Sequence, residues 1–280
     1  MWLLLLACTA PEEVEAPADI PCDNSEEKEL AMAKTITFAR RDEQGRTIGF
    51  DLDGRISEAS DSKGCFKPDL VSPDGTPGID SAFSGLVPAL EATEARAVEG
   101  LIQVSINNGE LLVGLELDDR DDLENDSCVD LTLSRGKGTP MLGTDGYLEA
   151  GQTFERNPDF PAAELKQVVL EDGAILAGPF KWSLPLTVLD AYVNLEMESA
   201  YLYYQPGENG NGYGYIGGGI SVPYFVELMG NINSDVGEIL ISVVIAAADL
   251  QVPETGACDQ LSAVIEFTTT PAFYFEDSTE

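Results

Sequence analysis

The sequence predicts an α+β chain that is mainly β, with a β-sandwich-like sheet core and a few packed helices on one face. Short runs in which apolar and polar residues alternate recur from Lys34 to Phe275. Gly, Pro and Asp-Gly pairs punctuate the chain between those runs, and helical spacing is confined to a few stretches. With 280 residues, 44% of them hydrophobic, the chain is long enough to bury a full core in one domain. It contains no internal repeat.

Glu26 to Met32 reads as a short helical lead-in. Lys34 to Arg40 alternates as a strand with Ile36 and Phe38 on one face, Asp42 to Gly45 is turn chemistry, and Arg46 to Phe50 returns as the second arm of a hairpin. From Asp51 to Asp80 the character changes. Asp53-Gly54 and Asp74-Gly75, with Pro68, Pro73 and Pro77, leave no room for a long element. A loop of this length in a compact domain asks for a staple or an ion, and Cys65 lies in its middle.

Ala89 to Asn107 places Leu90, Ala97, Val98, Leu101 and Ile102 along a helical face. A hairpin competes, because Ile102, Val104 and Ile106 alternate ahead of Asn108-Gly109. The alanine- and glutamate-rich approach favours the helix. Glu110 to Leu117 and Cys128 to Leu133 are strands on either side of an acidic run, and Gly136 to Pro161 reads as loops with short strands. Lys166 to Glu171 and Ala174 to Ala177 form a hairpin, followed by longer strands from Phe180 to Val188 and from Ala191 to Tyr204. Tyr201, Tyr203 and Tyr204 form an aromatic set that serves either as a ligand platform or, more commonly, as strand packing. Val222 to Gly230 and Val236 to Leu250 are helices, the second apolar enough to lie buried against a sheet. Leu261 to Thr270 and Ala272 to Phe275 close the chain as strands.

Composition excludes several function classes. Fifty acids against fifteen bases give a formal charge of −35, a surface that repels phosphate backbones, so nucleic acid is not an expected partner. Histidine is absent, which removes Ser-His and Cys-His nucleophiles and imidazole ligation of zinc. Asn209 to Gly219 holds a formal G-x-G-x-x-G at Gly212, Gly214 and Gly217, but no helix opens directly after it. It reads as a flexible turn between strands, with no nucleotide cofactor.

Calcium is the cofactor that the acids suggest, because hard cations take clustered carboxylate oxygens in glycine-assisted turns. The first candidate site is the inter-strand run with Asp118, Asp119, Asp121, Asp122 and Asp126. A second cluster is Asp51 and Asp53, with Asp61, Asp69, Asp74 and Asp80 in the same loop. Neither has EF-hand spacing, and solvation of an acidic surface is the commoner use of such residues.

The first eight residues, Met1-Trp2-Leu3-Leu4-Leu5-Leu6-Ala7-Cys8, resemble the lipobox of bacterial lipoproteins, with Leu5, Leu6 and Ala7 ahead of Cys8. The resemblance implies a signal peptide over residues 1–7, a lipid on Cys8 and attachment to a membrane. Residues 8–25, interrupted by Pro11, Pro17 and Pro21 and rich in unbalanced acids, are the expected tether. Residues 26–280 form a single globular domain. In that family an aspartate after the lipidated cysteine is associated with inner-membrane retention, and Thr9 here favours the outer membrane of the cell envelope. With Cys8 lipidated, Cys22, Cys65, Cys128 and Cys258 remain for two disulfides, expected as Cys22–Cys65 and Cys128–Cys258.

The function expected is that of a lipid-anchored envelope lipoprotein, a non-enzymatic binding or structural module, calcium-stabilised, with a protein or glycan partner. The alternatives are a carboxylate-based hydrolase acting on envelope glycans and a lipid or small-ligand carrier with an apolar cavity under the Val236–Leu250 helix.

Overall fold

The computed structural model describes residues 28–92, 97–188, 191–207, 209–230 and 235–275. The core is mainly β, as expected, but it is a closed barrel and not a sandwich. Eight strands make the wall: β1 (Lys28–Phe38), β4 (Leu112–Asp118), β5 (Asp126–Lys137), β7 (Ala163–Glu171), β8 (Ala174–Val188), β9 (Ala191–Pro206), β10 (Gly212–Ser221) and β11 (Gln260–Tyr274). Each pairs antiparallel with the next in that order, and β11 pairs back onto β1, with Leu30 opposite Ala272 and Phe38 opposite Ile265. The alternation that suggested a two-layer sandwich suits a barrel equally, because both bury one face of every strand. Closure is a long-range property of register. Irregularities at Ala33/Thr35 in β1 and at Phe180 in β8 bend the wall.

The remaining pieces are insertions into this up-and-down order. Between β1 and β4 lie the small pair β2 (Leu70–Val71) and β3 (Pro77–Ile79), a 3-10 turn at Ala82–Gly85, and helices α1 (Val87–Glu91) and α2 (Val98–Asn107). Strand β6 (Gln152–Arg156) pairs with the ends of β5 and β11. Helices α3 (Val222–Gly230) and α4 (Asp235–Ala247) connect β10 to β11. The expected helical lead-in is instead the start of β1, where Leu30 to Ala33 are buried between β4 and β11. The expected return strand at Arg46–Phe50 does not form, and Phe50 makes a single bridge to Asp80.

Alternation along each strand sends one row of side chains into the lumen. Ile36, Val113, Leu115, Leu133, Ile216, Ile265 and Phe267 are buried there, each burial contributing about 1.5–3 kcal/mol. The void left among them is about 10 Å³, room for about one water. The glycine-rich stretch is strand β10 itself, which corrects the expected flexible turn. A Cβ on Gly214 would lie 2.5 Å from Phe267 Cζ, and one on Gly212 2.7 Å from the Tyr204 ring, so the missing side chains make room for rings in the lumen.

Helix α2 contacts both β1 and β8, which stand on opposite walls, so it spans the barrel mouth. Its Ile102 and Ile106 join the main core. The α3–α4 pair builds a smaller cluster, with Val222, Val244 and Ala248 packed around Leu261 of β11. Within α4, Val244 is buried in this cluster, while Ile245 is exposed.

Candidate functional site

The acids of the long loop converge because each one organises a turn. Asp51 Oδ1 accepts the backbone N–H groups of Gly54 and Arg55 at 2.7 and 3.0 Å. Asp53 Oδ1 accepts the Arg55 N–H at 3.1 Å, and its second oxygen lies 3.4 Å from Arg55 Nε. Asp80 arrives from the other side: its N–H donates to the Phe50 carbonyl, and its Oδ2 accepts the Leu52 N–H at 2.7 Å. Carboxylate oxygens of Asp51, Asp53 and Asp80 consequently lie within 4.8 Å of one another. Asp69 stands near enough to repel the Asp80 charge, and its Oδ2 accepts the Ser57 N–H at 2.5 Å.

A fifth acid comes from far along the chain. Asp249 follows α4 and is buried. Its two oxygens accept the Ser262 N–H at 2.7 Å and the Ser262 hydroxyl at 2.5 Å. Ser262 Oγ in turn accepts the Ala82 N–H at 2.7 Å, so one serine ties β11 to the segment after β3. No local signal in the sequence marks Asp249; only the fold brings it here.

Burial dominates the electrostatics. It pushes the Asp80 carboxyl up to about 8, against the pull of the Leu52 N–H, with Asp249, Asp69 and Asp53 adding like-charge repulsion. Burial also raises Asp249 to about 6, and raises Asp53 and Asp69. Burial thus favours the protonated carboxyl most strongly at Asp80. The cations nearby are Arg55, which also lies 3.6 Å from Asp61, and Arg41, whose guanidinium feels the Asp249 charge and bonds Ser84. Chemically, such a group of oxygens either shares protons or accepts a hard cation.

The loop is stapled where Cys65 bonds Cys258 across 193 residues of sequence. This replaces the expected Cys22–Cys65 and Cys128–Cys258 pairing, because closing the barrel sets the start of β11 beside the long loop, a proximity that spacing along the chain does not encode. Cys128 is disulfide-bonded as well. Cys8 and Cys22 lie outside the described residues. Cys65 and Phe66 both adopt left-handed backbone, with φ of 55° and 59°, and Gln251 Nε2 bonds the Ser62 carbonyl beside the staple.

The first-choice metal loop is arranged differently. Asp118 pairs with Lys28 at 2.7 Å, Asp119 takes a left-handed φ of 62°, and the Asp121 N–H donates to Asp126 Oδ2 at 2.7 Å. Asp122 Oδ1 accepts the N–H groups of Glu124 and Asn125, and Asp126 Oδ1 accepts that of Cys128. Among the described residues, three carboxylates meet at Asp51, Asp53 and Asp80 and not on this loop. Asp74 caps its own turn through Ser72 and Thr76.

Two other stretches singled out by sequence resolve into wall packing. Tyr204 points inward and is buried, its hydroxyl 3.1 Å from Thr269 Oγ1. On the outer face, the Tyr203 and Tyr215 rings stack 4.9 Å apart, and Phe50 lies 5.0 Å from Tyr215 and 5.8 Å from Tyr201. Those ring faces cover one another instead of lying open as a platform. A Cβ on Gly217 would meet the Phe50 ring at 2.8 Å, so this glycine seats the loop on the wall. No protein-family model, no curated protein and no solved structure matches the chain.

Proposed function

We propose that this chain is a lipid-anchored protein of the bacterial cell envelope that acts as a non-enzymatic binding or structural module. The observation that carries the reading is the Cys65–Cys258 disulfide, which clips the long acidic loop to the closing strand of the barrel, since such bonds persist in oxidising compartments. The lipobox-like start, ending at Cys8, supplies the anchor in this reading. A lumen void of about 10 Å³ offers no cargo space, which weighs against a carrier that works through the lumen. The test is metabolic labelling of cells expressing the full chain with a radioactive fatty acid. Label on a membrane-bound protein, lost in Cys8→Ala, supports the anchor; an unlabelled, soluble wild type overturns it.

Within this reading calcium remains the proposed stabilising ion of the acidic loops, at Asp51, Asp53 and Asp80 in preference to Asp118–Asp126. The support is the approach of three carboxylates within 4.8 Å, a donor set that suits a hard cation and that protons satisfy as well. Calcium titration of folding stability, described below, separates the two.

A further inference from the structure

The chain has seven lysines, and five of them, Lys28, Lys34, Lys137, Lys166 and Lys181, lie within 3.1 Å of a carboxylate. Among the described residues, Lys63 and Lys67 form no ion pair, on a chain with fifty acids. Those two lysines flank Phe66, whose residue surface is 61% exposed. The two unpaired lysines and an exposed ring thus share one turn of the long loop.

The backbone turns Phe66 outward. Its N–H donates to the Asp61 carbonyl and that of Lys67 to the Gly64 carbonyl, both at 2.8 Å, which closes the turn. Gly64 lies against Ser57, whose Oγ leaves no room for a Cβ. Cys65 is buried and bonded to Cys258, so of two consecutive left-handed residues one is held inside and the next stands in water. L-residues avoid this backbone, and a strained turn that presents a large apolar side chain to solvent marks a contact point. The acids nearby are mostly engaged. Asp61 accepts the Lys63 N–H at 2.8 Å and lies 3.6 Å from Arg55, and Asp69 accepts the Ser57 N–H; Glu58 is exposed.

One ring and two lysine stems are too little for a protein interface of standard size, which takes about 800 Å² from each partner. They suit a lipid surface, which needs no complementary pocket. There a ring enters the boundary between headgroups and acyl chains while flanking ammonium groups meet the phosphates. The formal charge of −35 opposes approach to such a surface, but at physiological salt its field decays over about 8 Å, so the charges of the tip itself act at contact.

We propose that the turn Lys63–Lys67 is a docking tip for an anionic lipid surface, with Phe66 inserted and Lys63 and Lys67 on headgroup phosphates. The tip stands at the end of the barrel away from Lys28, because β1 leads from Lys28 toward the long loop and Cys258 just precedes β11. A chain of about 20 residues spans at most about 70 Å, so a lipid on Cys8 leaves the tip free to reach the same membrane. Docking does not require that lipid.

The test uses the full chain carrying Cys8→Ala, so that no lipid anchor contributes, with disulfides intact and EGTA present so that no calcium bridges acids to headgroups. It is floated at physiological salt with vesicles of phosphatidylcholine alone and of an equal mixture of phosphatidylcholine and phosphatidylglycerol. The expected result is flotation with the mixed vesicles and less with the neutral ones. Partition is expected to fall about tenfold in Phe66→Ala and in the double variant Lys63→Glu/Lys67→Glu, and to stay unchanged in Lys181→Glu. Phe66→Trp should keep flotation and show a blue shift of emission on vesicles that the parent lacks. Unfolding midpoints are matched to the parent before partition is compared. A folded protein that floats with neither composition overturns the proposal and leaves the tip to a protein partner. Flotation undiminished in both tip variants arises elsewhere in the chain, as from the apolar run before residue 8, and overturns it as well.

Discussion

Asp80 accepts the Leu52 backbone N–H on Oδ2 at 2.7 Å while its own N–H donates to the Phe50 carbonyl at 2.8 Å, so one buried residue ties the end of the long loop to its beginning. Its proton is part of the fold. An unfolded aspartate releases that proton near pH 3.9, whereas the folded Asp80 keeps it to about 8 and Asp249 to about 6. Between those limits the native state binds more protons than the unfolded chain, and stability falls as pH rises. Carboxyls held low, such as Asp42 and Asp122 under their backbone N–H donors, work the other way and withdraw stability as pH falls through their folded values.

Stability measured by urea unfolding is expected to peak in mildly acidic solution and to decline toward about pH 8.5 by up to a few kcal/mol. Asp80→Asn keeps a donor and an acceptor without the charge. It is expected to raise the midpoint at the alkaline end and to flatten the decline. An unchanged slope in that variant would show that the pH dependence lies elsewhere.

Calcium and protons compete for the same oxygens. At constant ionic strength, with EGTA as the reference, calcium is expected to raise the unfolding midpoint beyond the effect of magnesium. The gain expected is about 1–3 kcal/mol at saturating ion, larger near pH 8.5 than near pH 6. Asp53→Asn should abolish it and Asp122→Asn should leave it. Equal responses to the two ions would leave the loop as a proton-bonded brace.

Gly214 and Gly100 make a contrasting pair. A Cβ on Gly214 meets Phe267 Cζ at 2.5 Å and the Tyr203 carbonyl at 2.6 Å, whereas one on Gly100 of α2 meets nothing within 4 Å. Gly214→Ala is expected to cost about 1–3 kcal/mol, and Gly100→Ala to add about 0.5–1 kcal/mol, both read from urea midpoints at constant slope.

Removing the Cys65–Cys258 bond by Cys65→Ser, Cys258→Ser or both should lower stability by about 2–5 kcal/mol. The three variants are expected to agree closely, since each breaks the same link. A double variant that is clearly worse than either single would mean that the serines themselves disturb the site.

The sequence made the strands readable wherever alternation was long and clean, as at Glu110–Leu117 and Ala191–Tyr204, and made α2 readable from its alanine-rich approach. Closure was hidden, because the pairing of β1 with β11 leaves no local trace. The lead-in at Lys28–Met32 contains good helix formers, yet its backbone is fixed by pairing with Glu116 and its neighbours in β4. At the acidic site, the Asp-Gly turns marked Asp51 and Asp53, and the loop length anticipated a staple. Which half-cystine would supply it, and that Asp249 would join, depended on the position of β11.

The pairing of first strand with last also sets an order in time. Until residues 260–274 have been made, β1 and β10 each lack a neighbour, and the wall cannot be completed from the parts already synthesised. Assembly waits for the far end of the chain, so folding is governed by contacts of the longest possible reach and is expected to be slow. A chain that stops short of Gln260 carries two open strand edges, the features through which unfinished sheets seek other partners.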